Sequence, residues 1–410
     1  MQNKQTGERL RQRGQHLSTA QLALLFAGII MLAVNLRPAL TGVGPLIPLI
    51  REDISLTRGT AGLITTLSLL TFAAVSPMAP KIGSKIGHQR ALMVGVLVLI
   101  AGIVMRYVPE AVFLFAGSLL VGAGIAMLNV LLPGVIKESF PHNVGVMTSI
   151  YTTTMVLMAA VGSGVSVPLA SSAGLGWQWS LLFWVVPAAA AVLCWGMVLK
   201  NRQLQMPGRV RVVERSNSEG SIWKSPLAWQ VTLFMGLQSI GFYVTITWLP
   251  DILNNLGSMP LAAAGWLVAL MQIASLPATF LTPILAGRFR NQQGIIAVIG
   301  VIAVLGLVLL MTNTSPFMLT IAVLFIGLAQ GGSISLALAL LSIRASTPQR
   351  AADLSGMAQS VGYFMAALGP ILVGASFDAW ETWMPALLIL MVVSVLQIGA
   401  GMGAGRNKEV

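Results

Sequence analysis

"NLRPALTGVGPLIPLI", Asn35 to Ile50, lies in an apolar run that begins near Leu22 and otherwise carries no charge. Arg37 stands well inside both ends of that run. A guanidinium at the centre of a bilayer helix costs about 2.5–3.5 kcal/mol even on the lenient insertion scale, and it keeps its proton. It is also too deep for its head to snorkel to the interface. Whatever stabilises it must come from outside the run.

The rest of the chain is built from similar runs. Of 410 residues, 56% are hydrophobic and only 9% charged, against about 25% charged in a soluble domain. Mean hydropathy is +0.84. A water-soluble fold could not hide that much apolar side chain, and a transmembrane β-barrel would alternate apolar and polar residues in short segments. The runs here are continuous and rich in Leu, Val, Ala and Gly. They predict an all-α membrane protein with twelve transmembrane helices, at 22–50, 59–80, 91–107, 111–136, 145–170, 177–199, 226–250, 261–285, 294–312, 317–341, 354–376 and 382–403.

The net charge of +12 could suggest nucleic acid, but its distribution does not. With the connections numbered along the chain, the two termini and the even-numbered connections hold 20 of the 24 Lys and Arg. The odd-numbered connections hold three, Arg51, Arg58 and Arg106, and Arg37 is left over. This is the positive-inside pattern, which places both termini in the cytoplasm. The expected partners are therefore the lipid bilayer and a small molecule, with no nucleic acid, for a chain acting as a monomer.

The basic stretch Arg9, Arg11 and Arg13 precedes an apolar run far longer than a secretory core, so it reads as the flank of an uncleaved first helix. Cys194 is the only cysteine, which excludes an intrachain disulfide and a cysteine metal cluster. No phosphate-cradling glycine-lysine loop occurs, and no metal or other cofactor is expected.

The longest polar interruption runs from Lys200 to Ser225 and divides the chain into residues 1–199, a cytoplasmic linker 200–225, and residues 226–410. The two six-helix parts share a repeat at a constant offset of 207. "MAAVG" at 158–162 returns as "MAALG" at 365–369; Lys81 and Gly87 match Arg288 and Gly294; Lys137 matches Arg344. Duplicated bundles of this kind are a transporter design.

The loop "PKIGSKIGHQR" after the second helix resembles the major facilitator superfamily signature Gly-x-x-x-Asp-Arg-x-Gly-Arg-Arg. Lys85, Gly87 and Arg90 keep its basic and glycine character, with Lys81 in the same loop; Pro80 and Ser84 replace the first glycine and the aspartate. The resemblance implies two pseudo-symmetric six-helix bundles and a gating role for the loop. "NLRPALTGVGPLIPLI", "ESFPHNV", "SPLAWQVTLF" and "LSGMAQSVGYFMAALGP" resemble the cyanate/2-nitroimidazole transporter branch over nearly the whole chain. That implies secondary transport of small, polar, planar or anionic molecules across a bacterial inner membrane.

All twelve acidic residues and all three histidines fall in loops or at helix ends. Arg37 thus has no acidic partner at its depth, and the helices hold no His/Asp/Glu cluster for an enzyme. A cation left facing a central cavity would suit a carboxylate, nitro group or similar pair of oxygens. The resemblance implies that helices 1, 4, 7 and 10 line the cavity and that 2, 5, 8 and 11 flank it, so the candidate binding set is Arg37, Asn129, Tyr151, Tyr243, Trp248, Gln272, Gln330, Gln359 and Tyr363. Each neutral member has a bland alternative as interhelical glue. Trp177, Trp179, Trp380 and Trp383 read as an interfacial aromatic belt. The favoured function is alternating-access transport of a cyanate-, nitroimidazole- or carboxylate-like solute. The alternatives are a proton-coupled multidrug exporter, for which an embedded carboxylate is lacking, and a non-transporting membrane receptor, for which a sensor domain is lacking.

Overall fold

A computed structural model describes residues 19–140, 143–172, 174, 176–201 and 221–410. The basic amino-terminal stretch, His16, His142 and most of the 200–225 connection lie outside the described residues. Among those described, twelve helical spans are long and apolar enough to cross a membrane. They are α1 (Ala20–Ile54), α2 (Arg58–Val75), α3 (His88–Met105), α4 (Ala111–Ser139), α5 (Val146–Ser171), α6 (Gly176–Lys200), α7 (Pro226–Gly257), α8 (Leu261–Arg288), α9 (Gln293–Thr312), α10 (Pro316–Ile343), α11 (Asp353–Trp380) and α12 (Met384–Ala404).

Local chemistry starts several of them. The Thr57 hydroxyl accepts from the Thr60 amide before α2, and the Ser225 hydroxyl accepts from the Ala228 amide before α7. Pro226 and Pro316 occupy first-turn positions, where a missing N–H costs nothing.

α1 is not one rod. Its first segment ends at Val34, and Pro38–Thr41 forms a separate turn with Arg37 at its N-cap. Pro38 has no N–H to continue the ladder. The Arg37 carbonyl instead accepts from the amides of Leu40 and Thr41. Arg37 therefore sits at a helix break, where its side chain leaves the packed face.

Within the amino-terminal six helices α3 packs on α4 and α1 on α6; within the carboxyl-terminal six α9 packs on α10 and α7 on α12. Across the halves α2 packs on α11, and α5 on α8. Three apolar cores result. One gathers Leu25, Leu128 and Trp195, and a second gathers Phe234, Leu336 and Leu340. The third joins both halves through Ile50, Ile64, Trp248 and Val373, toward the odd-numbered connections. Glycine lets backbones meet there: a Cβ on Gly62 would lie 2.6 Å from the Pro370 carbonyl oxygen, and one on Gly265 2.9 Å from that of Ser163.

Three expectations need correction. Arg106, counted among the odd-connection residues, is 1% exposed. Its Nη1 donates to the Ala39 carbonyl at 2.7 Å, its Nε to the Ser118 hydroxyl at 3.1 Å and its Nη2 to the Ser68 hydroxyl at 3.4 Å. Arg344, at the end of α10, is equally buried and donates to the carbonyls of Ala404 and Gly405. Burial pushes the Arg344 guanidinium down, and the charge of Glu409 opposes that shift. Of the four belt tryptophans, Trp179 and Trp380 are exposed, but Trp177 and Trp383 are buried. Trp177 donates to Asp53, and Trp383 packs on Phe377 and Trp248. Position at a helix end does not say whether the ring faces lipid or protein.

Candidate functional site

Between the halves lies a cavity of about 150 Å³, at the depth where α1 breaks. Arg37 contributes its cation from α1, and Thr152, Met155, Val156 and Ala159 form the α5 wall. The opposite wall is polar and neutral: Gln238 and Ser239 on α7, Gln272, Ser275 and Thr279 on α8, Gln330 and Ser335 on α10. Thr279 and the half-exposed Leu338 place its mouth toward the even-numbered connections.

Aromatic rings surround the cation. Arg37 Nη1 donates to the Tyr243 hydroxyl at 3.3 Å, and its guanidinium lies 5.3 Å from the Phe242 ring centre. Tyr363 packs edge-on to Tyr243 at 6.5 Å and against Phe72 at 4.9 Å. Tyr151 lies near enough to feel the charge of Arg37. Three of the chain's four tyrosines thus converge on one arginine. Ring faces and phenol oxygens stabilise a guanidinium without neutralising it. Among the described residues Arg37 has no carboxylate partner and no side-chain hydrogen bond beyond Tyr243. Its charge remains for something else.

The three glutamines differ. Gln238 Nε2 donates to the Ser239 hydroxyl at 2.6 Å, and Gln330 Nε2 donates to the Thr245 hydroxyl at 3.1 Å. Both also border a chamber of about 40 Å³ inside the carboxyl-terminal half, shared with Ser333 and Gln397. Gln272 is 4% exposed and its Nε2 finds no acceptor among the described residues.

Toward the odd-numbered connections the halves are sealed. Arg58 Nε donates to Asp251 Oδ2 at 2.9 Å, with Arg51 Nη1 at 4.0 Å from the same oxygen. The Asp378 carboxylate accepts from the backbone amides of Arg58 and Gly59 at 2.9 and 2.6 Å, a cap on the start of α2. The Arg58 guanidinium lies 3.7 Å from the Phe377 ring centre. Below this cluster the Thr247 hydroxyl bonds that of Thr65 at 3.0 Å, and the Thr66 hydroxyl donates to the Ala367 carbonyl at 2.6 Å. Each of these contacts joins the amino-terminal to the carboxyl-terminal half.

Of the residues expected at the site, Arg37, Tyr243, Gln272, Gln330 and Tyr363 line the cavity, with Tyr151 beside them. Trp248 is wholly buried in the shared core, where its Nε1 donates to the Pro370 carbonyl at 2.8 Å. Gln359 donates to Ser355 on its own helix at 2.8 Å, and neither it nor Asn129 lines the cavity. Lys81, Lys85 and Arg90 are exposed around the short helix Ala79–Ile86, and Gly87 closes it at φ +91°. At this end His88 Nδ1 lies 3.8 Å from Glu138 Oε1, within the amino-terminal half. The seal formed by Arg58, Asp251 and Asp378 was missed in the sequence, because its members lie 193 and 320 residues apart.

The Major Facilitator Superfamily matches residues 20–370. The chain is 45% identical over 395 residues to the uncharacterized transporter YycB of Bacillus subtilis, covering 96% of each. It is 41% identical over 394 residues to the 2-nitroimidazole transporter of Escherichia coli, covering 96% of this chain and 98% of that one. The Escherichia coli cyanate transport protein CynX is 25% identical over 359 residues, covering 84% and 88%. Among solved structures, the nucleoside transporter NupG superposes with a TM-score of 0.75 at 15% identity, covering 93% of this chain and 99% of that one. Twelve spans, two packed halves and a central cavity are what a carrier needs and what an enzyme does not. The chain belongs to the major facilitator superfamily, on the branch with the 2-nitroimidazole and cyanate transporters, and is a multi-pass membrane transporter of a small solute.

Proposed function

We propose that this transporter moves a small planar anion, or a solute with a paired-oxygen end such as a nitro group, by alternating access, with Arg37 as its counter-charge. The observation that carries this is a guanidinium at mid-depth, facing a cavity, with no carboxylate opposite it. The names of the relatives, a 2-nitroimidazole and a cyanate transporter, agree with that chemistry. Phe242 and the tyrosines offer flat apolar surface to a planar solute, while the α8 and α10 amides offer orientation. The positive-inside pattern puts the even-numbered connections in the cytoplasm of a bacterial cell. On that orientation the structure is open inward and sealed outward. Residues 1–199 and 226–410 then rock about the site, the loop of Lys81, Lys85, Gly87 and Arg90 contributes to the inner gate, and 200–225 links the halves. A proton-coupled drug exporter fits less well, since among the described residues no carboxylate or histidine lines the cavity.

Counterflow of labelled benzoate or 2-nitroimidazole in proteoliposomes tests the reading. Wild type should exchange at least one of them, and Arg37→Ala protein of equal folded content should exchange neither. Equal counterflow by both proteins would remove Arg37 from the site.

A further inference from the structure

The neutral wall of the cavity holds one donor that the fold leaves unused. Three glutamines line that wall, and two are committed: Gln238 to Ser239 and Gln330 to Thr245. Gln330 ties α10 to α7, and Gln238 is satisfied on its own helix. Gln272 differs from both, because its side-chain nitrogen is buried and unbonded among the described residues. Its neighbours turn their hydroxyls elsewhere: Ser275 donates to the Gln272 backbone carbonyl at 2.6 Å and Thr279 to the Ser275 carbonyl at 2.9 Å, and neither oxygen accepts from the Gln272 side chain.

A buried amide N–H without an acceptor is a cost that native structures seldom leave standing without a reason. In an apolar position the fold could use Leu or Met at no such cost. Gln272 lines the cavity, and a half-turn about its soft terminal torsion exchanges the places of its amide nitrogen and oxygen, so that either can be offered to the cavity. There it meets a ligand whose charged end is already placed, since Arg37 contributes the only charge among the residues that line the cavity.

We infer that Gln272 is a specificity-determining residue: it donates to a neutral hydrogen-bond acceptor on the end of the substrate remote from its anionic group. The substrate class is therefore a planar monoanion with two polar ends, one charged and one a neutral acceptor such as a ring nitrogen or carbonyl oxygen. This rests on the reading of Arg37 as counter-charge and sharpens it.

Three probes of one shape decide the matter. Benzoate, nicotinate and isonicotinate are flat monoanions at about neutral pH, and the last two differ from benzoate by one ring nitrogen in place of a C–H. Their dissociation constants are measured by calorimetry on detergent-solubilised wild type and on Gln272→Met, which keeps length and loses the donor. Wild type is expected to bind at least one pyridine carboxylate more tightly than benzoate, by about two- to tenfold, the range of one neutral hydrogen bond. Gln272→Met is expected to reverse the order, because the ring nitrogen is then desolvated without a partner. A purely structural role for Gln272 would weaken all three ligands together and leave their ratio unchanged, which overturns the proposal. If Gln272→Met does not fold, the wild-type ratio decides alone: benzoate binding as tightly as both pyridine carboxylates overturns it. Binding of none of the three overturns this inference and the anion reading together, whereas binding of all three with no preference leaves Arg37 in place and removes only Gln272.

Discussion

Two arginines of the amino-terminal half lie inside the protein without an acidic partner, and they could hardly be treated more differently. Arg106 is enclosed, and its three donor nitrogens each meet an oxygen of Ala39, Ser68 or Ser118. Arg37 stands at a helix break beside a cavity, with the Tyr243 hydroxyl and the face of Phe242 for company. A guanidinium has five N–H donors. Where the fold fills them with its own oxygens the cation is a fixture that ties α1, α2 and α4 together. Where it leaves them open beside a cavity, the cation is held for a ligand. The contrast matters because an apolar setting and missing carboxylates, taken alone, describe both residues.

The largest expected effects separate these two roles. Arg37→Ala should lower affinity for a planar anion by about tenfold to a hundredfold or more, the worth of hydrogen bonds to a charged group, while leaving the thermal midpoint in detergent close to wild type. Arg106→Ala should do the reverse. Three buried oxygens lose their donor, so the midpoint should fall by several degrees while any folded protein binds normally. Thermal melts and ligand titrations on both variants check this; a Arg106→Ala protein that is stable but blind to substrate would break the comparison.

Next in size is the seal. Arg58→Ala removes the ion pair to Asp251 and the cation from the Phe377 ring, both of which cross between the halves. The seal should then open more often toward the odd-numbered connections. Thr65→Cys, placed just below it against Thr247, should react with a membrane-impermeant maleimide several-fold faster in the Arg58→Ala background. An unchanged labelling rate would mean that packing of Gly62 on Pro370, not charge, keeps that end shut.

Smaller effects belong to the amides. Gln330 spends its side-chain N–H on Thr245, so Gln330→Ala should cost about 0.5–1.5 kcal/mol, divided between stability and binding. Gln359→Ala should change affinity little, since Gln359 bonds its own helix through Ser355. A loss of affinity from Gln359→Ala as large as that from Gln330→Ala would show that α11 turns during transport.

The smallest effect is an expected constancy. Among the described residues the cavity is lined by an arginine, two tyrosines, amides, hydroxyls and apolar side chains, with no carboxylate or histidine. Binding of a ligand that itself does not titrate should stay flat between about pH 5.5 and 8. A midpoint in that window would place a proton site away from the cavity wall.

The spans and Arg37 could be read from sequence because each is a local signal: a run of apolar residues, and one charge where none should be. The break at Arg37 was foreshadowed by Pro38. Side-chain facing was not legible. Tyr363 lines the cavity and Gln359, one turn before it, does not. Trp383 sits at a helix end like the exposed Trp380, and Trp248 lies where the apolar run of α7 gives out, yet both fill the core that joins the halves. Arg106 looked like a loop residue because the apolar run stops beside it, and only the approach of α1, α2 and α4 shows what surrounds it. The Arg58–Asp251–Asp378 cluster is a product of topology, with no trace at the level of neighbouring residues.

Benzoate and benzamide share a shape and differ in charge, so their affinities in wild type and in Arg37→Ala, measured side by side, address the central claim that Arg37 is kept open as a counter-charge. Wild type should bind benzoate at least tenfold more tightly than benzamide, and Arg37→Ala should bind both with the same weak affinity. A preference for benzoate that survives in Arg37→Ala would contradict the account and put the anion site on some other cation.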